Sequence, residues 1–408
     1  MSKVVYLIDQ PLDERNYDRF GIQAWIDRGW DVEVWDLTSL AYPRVWQNYI
    51  ESGRKLKEFE GHFPITSKSQ LEHRYSSLAR IGYFIDLTSD NYCSIRVKMR
   101  LIQMGAIRVT CAIGSIPEPG DGQKFGFVRK SKKAIAKGPI KSFKWLIDAF
   151  VRKVAAPFTK PGLVVVSGEK SIRSAGNDCG ILKAHNLDYD IFLRLAESRS
   201  VLAGEYAVFI DQDYCFHSDF IYEGTPFFVT PERYFPAICN GLRKISDVLE
   251  VDLRIATHPR SSYQQRTPDY FEGIPVEYGR SAELIRNCKV VVCHDSTAIQ
   301  FAVLYGKPII FVITDELHSS PGGELIAKFA SVFGKSVINL DGDLVKVDWR
   351  KELRVDSQKY TEYKNKYIKT DGSPEIPLWD IVINHIEKAE RLTSTDLPAQ
   401  CASAKVGG

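Results

Sequence analysis

Two polar clusters in the second half of the chain have the composition of an anion site. His258-Pro259-Arg260 ends the apolar run Val251 to Thr257, and His294-Asp295-Ser296-Thr297 ends the run Lys289 to Cys293. An imidazole and a guanidinium can neutralise a phosphate. A Ser-Thr pair ahead of a helix adds hydroxyls, backbone N–H groups and the positive end of the helix dipole. Ser and Thr are also ordinary N-caps and a His-Pro step is also a plain strand end, so either cluster alone is ambiguous. On consecutive strand–helix units the two together point to a phosphate-bearing ligand, because open α/β sheets bind at the carboxyl ends of their strands.

The carboxylates come next. The strand-like run Tyr206 to Ile210 leads into Asp211-Gln212-Asp213. An Asp-x-Asp there can hold a divalent metal on a nucleotide diphosphate. Alternatively, one Asp addresses a reacting carbon while the other hydrogen-bonds loop backbone. With His258, Arg260, Ser296 and Thr297 supplying charge and hydroxyls, no metal and no cofactor are expected. Transfer of a sugar needs a stabilised departing phosphate and a carboxylate beside the anomeric carbon. That carboxylate either attacks, retaining configuration through a covalent adduct, or deprotonates the acceptor hydroxyl, inverting it. Asp211 is the leading candidate. Glu169, in Ser167-Gly168-Glu169-Lys170, is an acceptor-side acid or base or a residue that shapes the cleft. The segment His185 to Asp190 supplies either acceptor contacts or hinge salt bridges.

These residues need elements to position them, and alternating short apolar runs and helical patterns provide a parallel sheet covered on both faces. In the first half, strands are expected at Lys3 to Ile8, Asp31 to Leu37, Gly82 to Leu87, Ile107 to Ile113 and finally Leu163 to Gly168. Helices are expected at Tyr17 to Arg28 and Asn91 to Met104. The second half repeats the grammar from Tyr206, with helices at 231–250, 281–287 and 298–306 and strands at 253–257, 290–293 and 307–313. The expected fold class is α/β: two Rossmann-like domains with a cleft between them, residues 1–195 on the acceptor side and 196–376 on the donor side. A closing helix at 377–392 and a disordered tail or linker at 393–408 complete the chain.

A length of 408 residues with 44% hydrophobic and 26% charged residues fits two soluble domains. The net charge of +3 is too small to suggest nucleic acid. The eight cysteines are scattered without a Cys-x-x-Cys, as expected of reduced, packed thiols. No apolar run reaches the length of a membrane span and no signal-peptide pattern leads the chain, so a cytoplasmic protein is expected. The segment 124–160 carries eleven Lys or Arg against one acid, Asp148. With Phe143, Trp145, Leu146, Ile147, Phe150 and Val151 among those charges, it either lies on an anionic membrane surface or packs a basic helix on the sheet.

The two Rossmann-like halves, the closing helix and the His-Pro and Ser-Thr steps on successive strands resemble a GT-B glycosyltransferase that uses CMP-activated acidic sugars. The Asp211-Gln212 segment followed by Phe216-His217-Ser218-Asp219, the run Thr257 to Tyr263, and Ser296-Thr297-Ala298-Ile299 are most similar to the bacterial β-Kdo transferase domains of O-antigen and capsule assembly. The similarity covers about residues 185–315 and is architectural elsewhere. It implies transfer of Kdo from CMP-Kdo, or a related CMP-ulosonic acid, to a lipid-linked surface glycan by a peripheral enzyme of the inner membrane. His258 with Pro259, and Ser296 with Thr297, would then hold the CMP phosphate, Glu283 would meet the ribose or cytosine, and Asp211 would act as nucleophile in a retaining double displacement. Arg260 and Lys307 would pair with sugar or phosphate anions. The acidic Asp/Glu-Asp/Glu-Gly motif of sialyltransferases is absent, which argues against sialic acid. A sialyltransferase-like inverting enzyme, a UDP-sugar GT-B enzyme and a binding module without turnover are the alternatives.

Overall fold

The computed structural model describes residues 2–78, 81–117, 149–175, 179–198, 204–217, 220 and 226–395. Most of the basic segment, Ser218, Asp219 and the tail lie outside the described residues.

The first sheet has seven strands: β1 Lys3–Ile8, β2 Asp31–Asp36, β3 His62–Pro64, β4 Tyr83–Asp86, β5 Ile107–Ala112, β6 Leu163–Ser167 and β7 Gly180–Ala184. The second has six: β8 Tyr206–Ile210, β9 Asp252–Ala256, β10 Val276–Glu277, β11 Val290–Cys293, β12 Ile309–Ile313 and β13 Val337–Asn339. Every pairing is parallel, in the orders β3-β2-β1-β4-β5-β6-β7 and β10-β9-β8-β11-β12-β13. Both are doubly wound orders with the chain reversing direction of travel beside the first strand. Central strands such as Val4 to Ile8 and Ile309 to Ile313 are buried throughout, as helices on both faces require. This is the expected pair of Rossmann-like sheets facing one another across a cleft, the GT-B arrangement.

The short strands β3, β10 and β13 lie outside the runs expected to form strands, and three further differences bear on the cleft and its framing. Leu163–Ser167 is followed by one more strand, β7, whose exposed Gly180, Ile181 and Lys183 carry no apolar run. The helix expected over 17–28 is two short helices, Glu14–Arg19 and Ile22–Asp27, divided at Gly21 with φ of 60°. The closing helix, Leu378–Thr395, belongs to the first sheet's core, where Leu378, Trp379, Val382, Ile383 and Ile386 pack with Tyr6, Ile22 and Trp25.

The chain returns to the first sheet through 368–378. Thr370 Oγ1 donates to the Val166 carbonyl and accepts from the Gly168 N–H, His185 Nε2 lies 2.8 Å from the Ile376 carbonyl oxygen, and Asp190 accepts from the Leu378 N–H at 2.8 Å. The His185 to Asp190 segment is therefore a junction, with Asp188 alone among its acids on the cleft without a bonded partner of this kind.

Gly21 fixes how the closing helix docks. A Cβ built there would stand 2.1 Å from Trp379 Cδ1, while Trp379 Nε1 donates to the Arg19 carbonyl at 2.8 Å. Both the positive φ and the clash oppose any side chain. Gly21→Ala is expected to lower the melting temperature by about 5–10 °C, combining overpacking with a left-handed alanine; thermal unfolding by circular dichroism checks this.

Candidate functional site

The cavity between the sheets has a volume of about 1920 Å³. That is larger than the roughly 300–1,000 Å³ of a single small-ligand pocket and leaves room for two substrates. Its second-domain wall is built from three strand ends. Asp211 and Gln212 follow β8, Thr257, His258 and Pro259 follow β9, and Asp295, Ser296 and Thr297 follow β11. β8 and β11 are the neighbours across which the strand order reverses, the crevice where such sheets bind ligands.

Asp211 is 1% exposed yet lines this cavity. Its Oδ1 accepts from the Asp213 N–H at 3.1 Å and its Oδ2 from the Tyr263 hydroxyl at 3.0 Å. Burial raises its pKa to about 6, against the pull of those donors and of the His258 and Gln212 N–H groups. Asp213 sits behind it with φ of 53°, 3% exposed and with Oδ1 unbonded. Burial and then the Asp211 charge push Asp213 up to about 7. The pair does not present two carboxylates to the cavity, and among the described residues no cluster of three metal-ligating side chains is present.

His258 is neutral. Burial, then His217, Arg260 and Arg15, depress its pKa to about 3. The Arg260 N–H donates to its Nδ1 at 3.3 Å, which leaves the proton on Nε2. His217 joins it at a ring-centroid distance of 4.5 Å and lines the same cavity. Ser296 is buried with its Oγ accepting from the Ala298 N–H, and Thr297 is exposed to the cleft. The helix they precede, Ile299–Leu304, is short and is closed by Gly306 with φ of 63°. His258, Pro259, Ser296, Thr297 and Asp211 are thus brought together.

Other expected residues are not. Glu169 lies on the exposed face of the Gly168–Ala175 helix, 3.9 Å from Arg173, outside the cavity lining. Glu283 is bonded to Arg280 Nε at 2.8 Å and does not line the cavity, although Ser281 and Ala282 just before it do. Lys307 donates to the Cys288 carbonyl at 2.8 Å, so it braces the sheet. Arg260 contributes its backbone N–H and its charge from behind His258. His294 is fully buried between the Val312 carbonyl at 2.7 Å and the Tyr234 hydroxyl at 2.9 Å, and burial holds it neutral with a pKa of about 4. It is a core residue.

Two sets of cleft residues escaped the sequence. Asp295 hydrogen-bonds the Tyr214 hydroxyl, and burial raises it to about 6. Its position inside His294-Asp295-Ser296-Thr297 was the available signal. Arg15, Arg19 and Arg194 form part of the opposite wall, together with Asp188 of the expected His185 to Asp190 segment; on a short helix of unremarkable charge pattern, Arg15 and Arg19 gave no signal.

No family description matches the chain, and no curated protein matches it. Among solved structures it superposes on a variant of the wall teichoic acid polymerase TagF with a TM-score of 0.49 and 10% identity, covering 96% of this chain and 90% of that one. The UDP-GlcNAc 2-epimerase of Methanocaldococcus jannaschii gives a TM-score of 0.49 and 10% identity over 95% of this chain and 100% of that one. MurG of Acinetobacter baumannii gives 0.46 and 9%, over 95% and 100%.

The buried carboxylates make a stability prediction. Since the folded-state pKa of Asp211, about 6, exceeds the usual 3.8, the native protein holds the proton more tightly than the unfolded chain. The favourable contribution is complete below about pH 4 and is lost as pH rises through about 6. Asp211→Asn, which keeps the shape and removes the charge, is expected to raise the melting temperature at pH 8 by about 2–6 °C. At pH 4.5 the gain should shrink to about a third. Melting curves at the two pH values check the sign.

Proposed function

We propose that the protein is a glycosyltransferase that moves an acidic sugar, Kdo or a related ulosonic acid, from its CMP-activated donor to a lipid-linked glycan. The single observation that carries this is the convergence of Asp211, His258 and Ser296-Thr297 from three adjacent strand ends on one cleft between two Rossmann-like domains. The CMP donor in particular is supported by the sequence resemblance at these residues.

In the reaction the glycosidic carbon–oxygen bond breaks and CMP departs with the electron pair. The Nε2–H of His258, the Thr297 hydroxyl and the amides ahead of the Ile299–Leu304 helix meet the phosphate oxygens that gain charge. Asp211 then adds to the anomeric carbon, to be displaced by the acceptor hydroxyl, or takes that hydroxyl's proton. A carboxyl of pKa about 6 is mostly ionised at neutral pH and suits either role. Its two bonds to Asp213 and Tyr263 hold it in one orientation.

The acceptor's lipid places the enzyme at a membrane surface. Among the described residues no helix is long and apolar enough to cross a membrane. Phe150, Val154 and Phe158, four residues apart and 68%, 55% and 62% exposed, form an apolar stripe beside Arg152 and Lys153. Such a stripe suits contact with anionic lipid. Phe150→Ser with Phe158→Ser is expected to reduce sedimentation with anionic vesicles several-fold while leaving neutral vesicles, already poor ligands, unchanged.

Incubation with CMP-Kdo, CMP-sialic acid and UDP sugars tests the donor. CMP release from CMP-Kdo with transfer to a glycan is expected; turnover only with UDP donors overturns the assignment. Asp211→Asn is expected to lower transfer by at least about 10³-fold with CMP affinity intact. Undiminished product formation by that variant would mean that Asp211 has no part in the chemistry. The rate should fall about tenfold per pH unit below about 6 as the carboxylate is protonated. Mass spectrometry of the intact protein after donor addition reads retention, as a sugar adduct, against inversion.

A further inference from the structure

Glycosyl transfer as described uses the second-domain wall and leaves the facing wall without a task. The helix Glu14–Arg19 follows β1 at the first sheet's own point of strand reversal, between β1 and β4. It sets Arg15 and Arg19, one turn apart, on the cavity, and Arg194 joins them from the helix Leu187–Glu197. Most acids on this wall are engaged elsewhere. Glu14 pairs with Lys57 at 2.7 Å, Asp380 with Arg28 at 3.3 Å, and Asp190 holds the Leu378 N–H at 2.8 Å. Burial raises the Asp188 pKa while Arg19 and then Arg15 favour its charged form, and Asp18 also lines this wall, but among the described residues neither Arg15 nor Arg19 forms an ion pair.

Like charges one turn apart repel, and the guanidinium fork matches a carboxylate or phosphate in two parallel hydrogen bonds. Arg15 also reaches across the cleft electrostatically, since it is among the charges that keep His258 neutral, and its own charge is disfavoured first by burial and then by Arg19 and Arg260, against the pull of Asp13 and Asp188. Two guanidinium groups in a substrate-sized cavity, in direct ion pair with no carboxylate among the described residues and opposite a phosphate site, describe a place for a second oxyanion.

We propose that Arg15 and Arg19 form a second oxyanion site of the cleft, which takes the acidic group that a substrate carries apart from the leaving phosphate. Two sources have this chemistry: the carboxylate of an acidic donor sugar and a phosphate of the acceptor. The identity of the substrate rests on the function proposed above; the existence of the site does not.

Calorimetric titration of the CMP-saturated protein with free Kdo in one arm and inorganic phosphate in the other tests this. The wild type is expected to bind one of the two, and the Arg15→Gln/Arg19→Gln variant to bind it at least about tenfold more weakly, the effect of losing one charged hydrogen bond. Both proteins should bind CMP equally, and Arg15→Lys/Arg19→Lys should recover part of the loss. Kdo as the ligand assigns the donor carboxylate, phosphate the acceptor. Binding unchanged by the glutamine pair, binding of neither anion by the wild type, or an equal loss of CMP affinity overturns the proposal. If the wild type fails to bind CMP, the donor assignment falls instead, and the same two titrations on nucleotide-free protein decide the arginine site alone.

Discussion

The parallel register of three strands sets everything at this site. Ile210 pairs with Ala256 of β9 and with Cys293 of β11, so Asp211, Thr257 and His294 leave the sheet at one level. At that level Asp211 and Thr257 line the cleft, whereas His294 does not. His294, first after β11, drops into the core between Val312 and Tyr234, and the next residues, Asp295 to Thr297, come up to the cavity. After β9, Thr257 is buried against the Glu277 carbonyl and His258 turns outward. A one-residue slip of either strand would take its cluster out of level with Asp211 without changing the composition of the cluster.

Holding three carboxyl groups in such a place has an energetic consequence. Asp211, Asp213 and Asp295 all have raised pKa values for the same first reason, loss of water. Donors offset part of that cost for Asp211 and Asp295, whereas Asp213 keeps an unbonded buried oxygen. Groups that weaken the fold in its charged state persist where charge is useful. Tyr263 and Tyr214 serve the same end from the other side: burial and the neighbouring Asp211 or Asp295 charges hold each phenol un-ionised, so each stays a donor to its carboxylate.

Much of the fold was legible because buried parallel strands write themselves as apolar runs. Val290 to Cys293 and Ile309 to Ile313 could hardly be anything else. β7 was not legible, since an edge strand with exposed Ile181 and Lys183 alternates with nothing buried beneath it until Ala184. The site divided along a similar line. Asp211, His258, Ser296 and Thr297 stand immediately after strands, where position in sequence is position in the cleft. Glu169 also ends a strand, but Gly168 with φ of 75° turns the following helix so that its carboxylate faces solvent. His294 carried the same polar signal as His258, and only the pairing register distinguishes them. Arg15 and Arg19 acquire meaning from a second domain that lies hundreds of residues away in sequence, which no local pattern encodes.

That distance is bridged by the chain's own return. The closing helix crosses back to the first sheet, and Trp379 donates to the carbonyl of Arg19, the last residue of the helix that carries both arginines. Gly21 exists in its left-handed conformation because Trp379 occupies the space a side chain would take. The indole therefore holds the arginine-bearing helix by its carboxyl end, while Asp190 fixes the start of the closing helix and His185 meets the carbonyl of Ile376 just ahead of it. These contacts span the same junction that links the two domains. The junction that joins the two halves of the chain therefore also anchors the helix that carries Arg15 and Arg19.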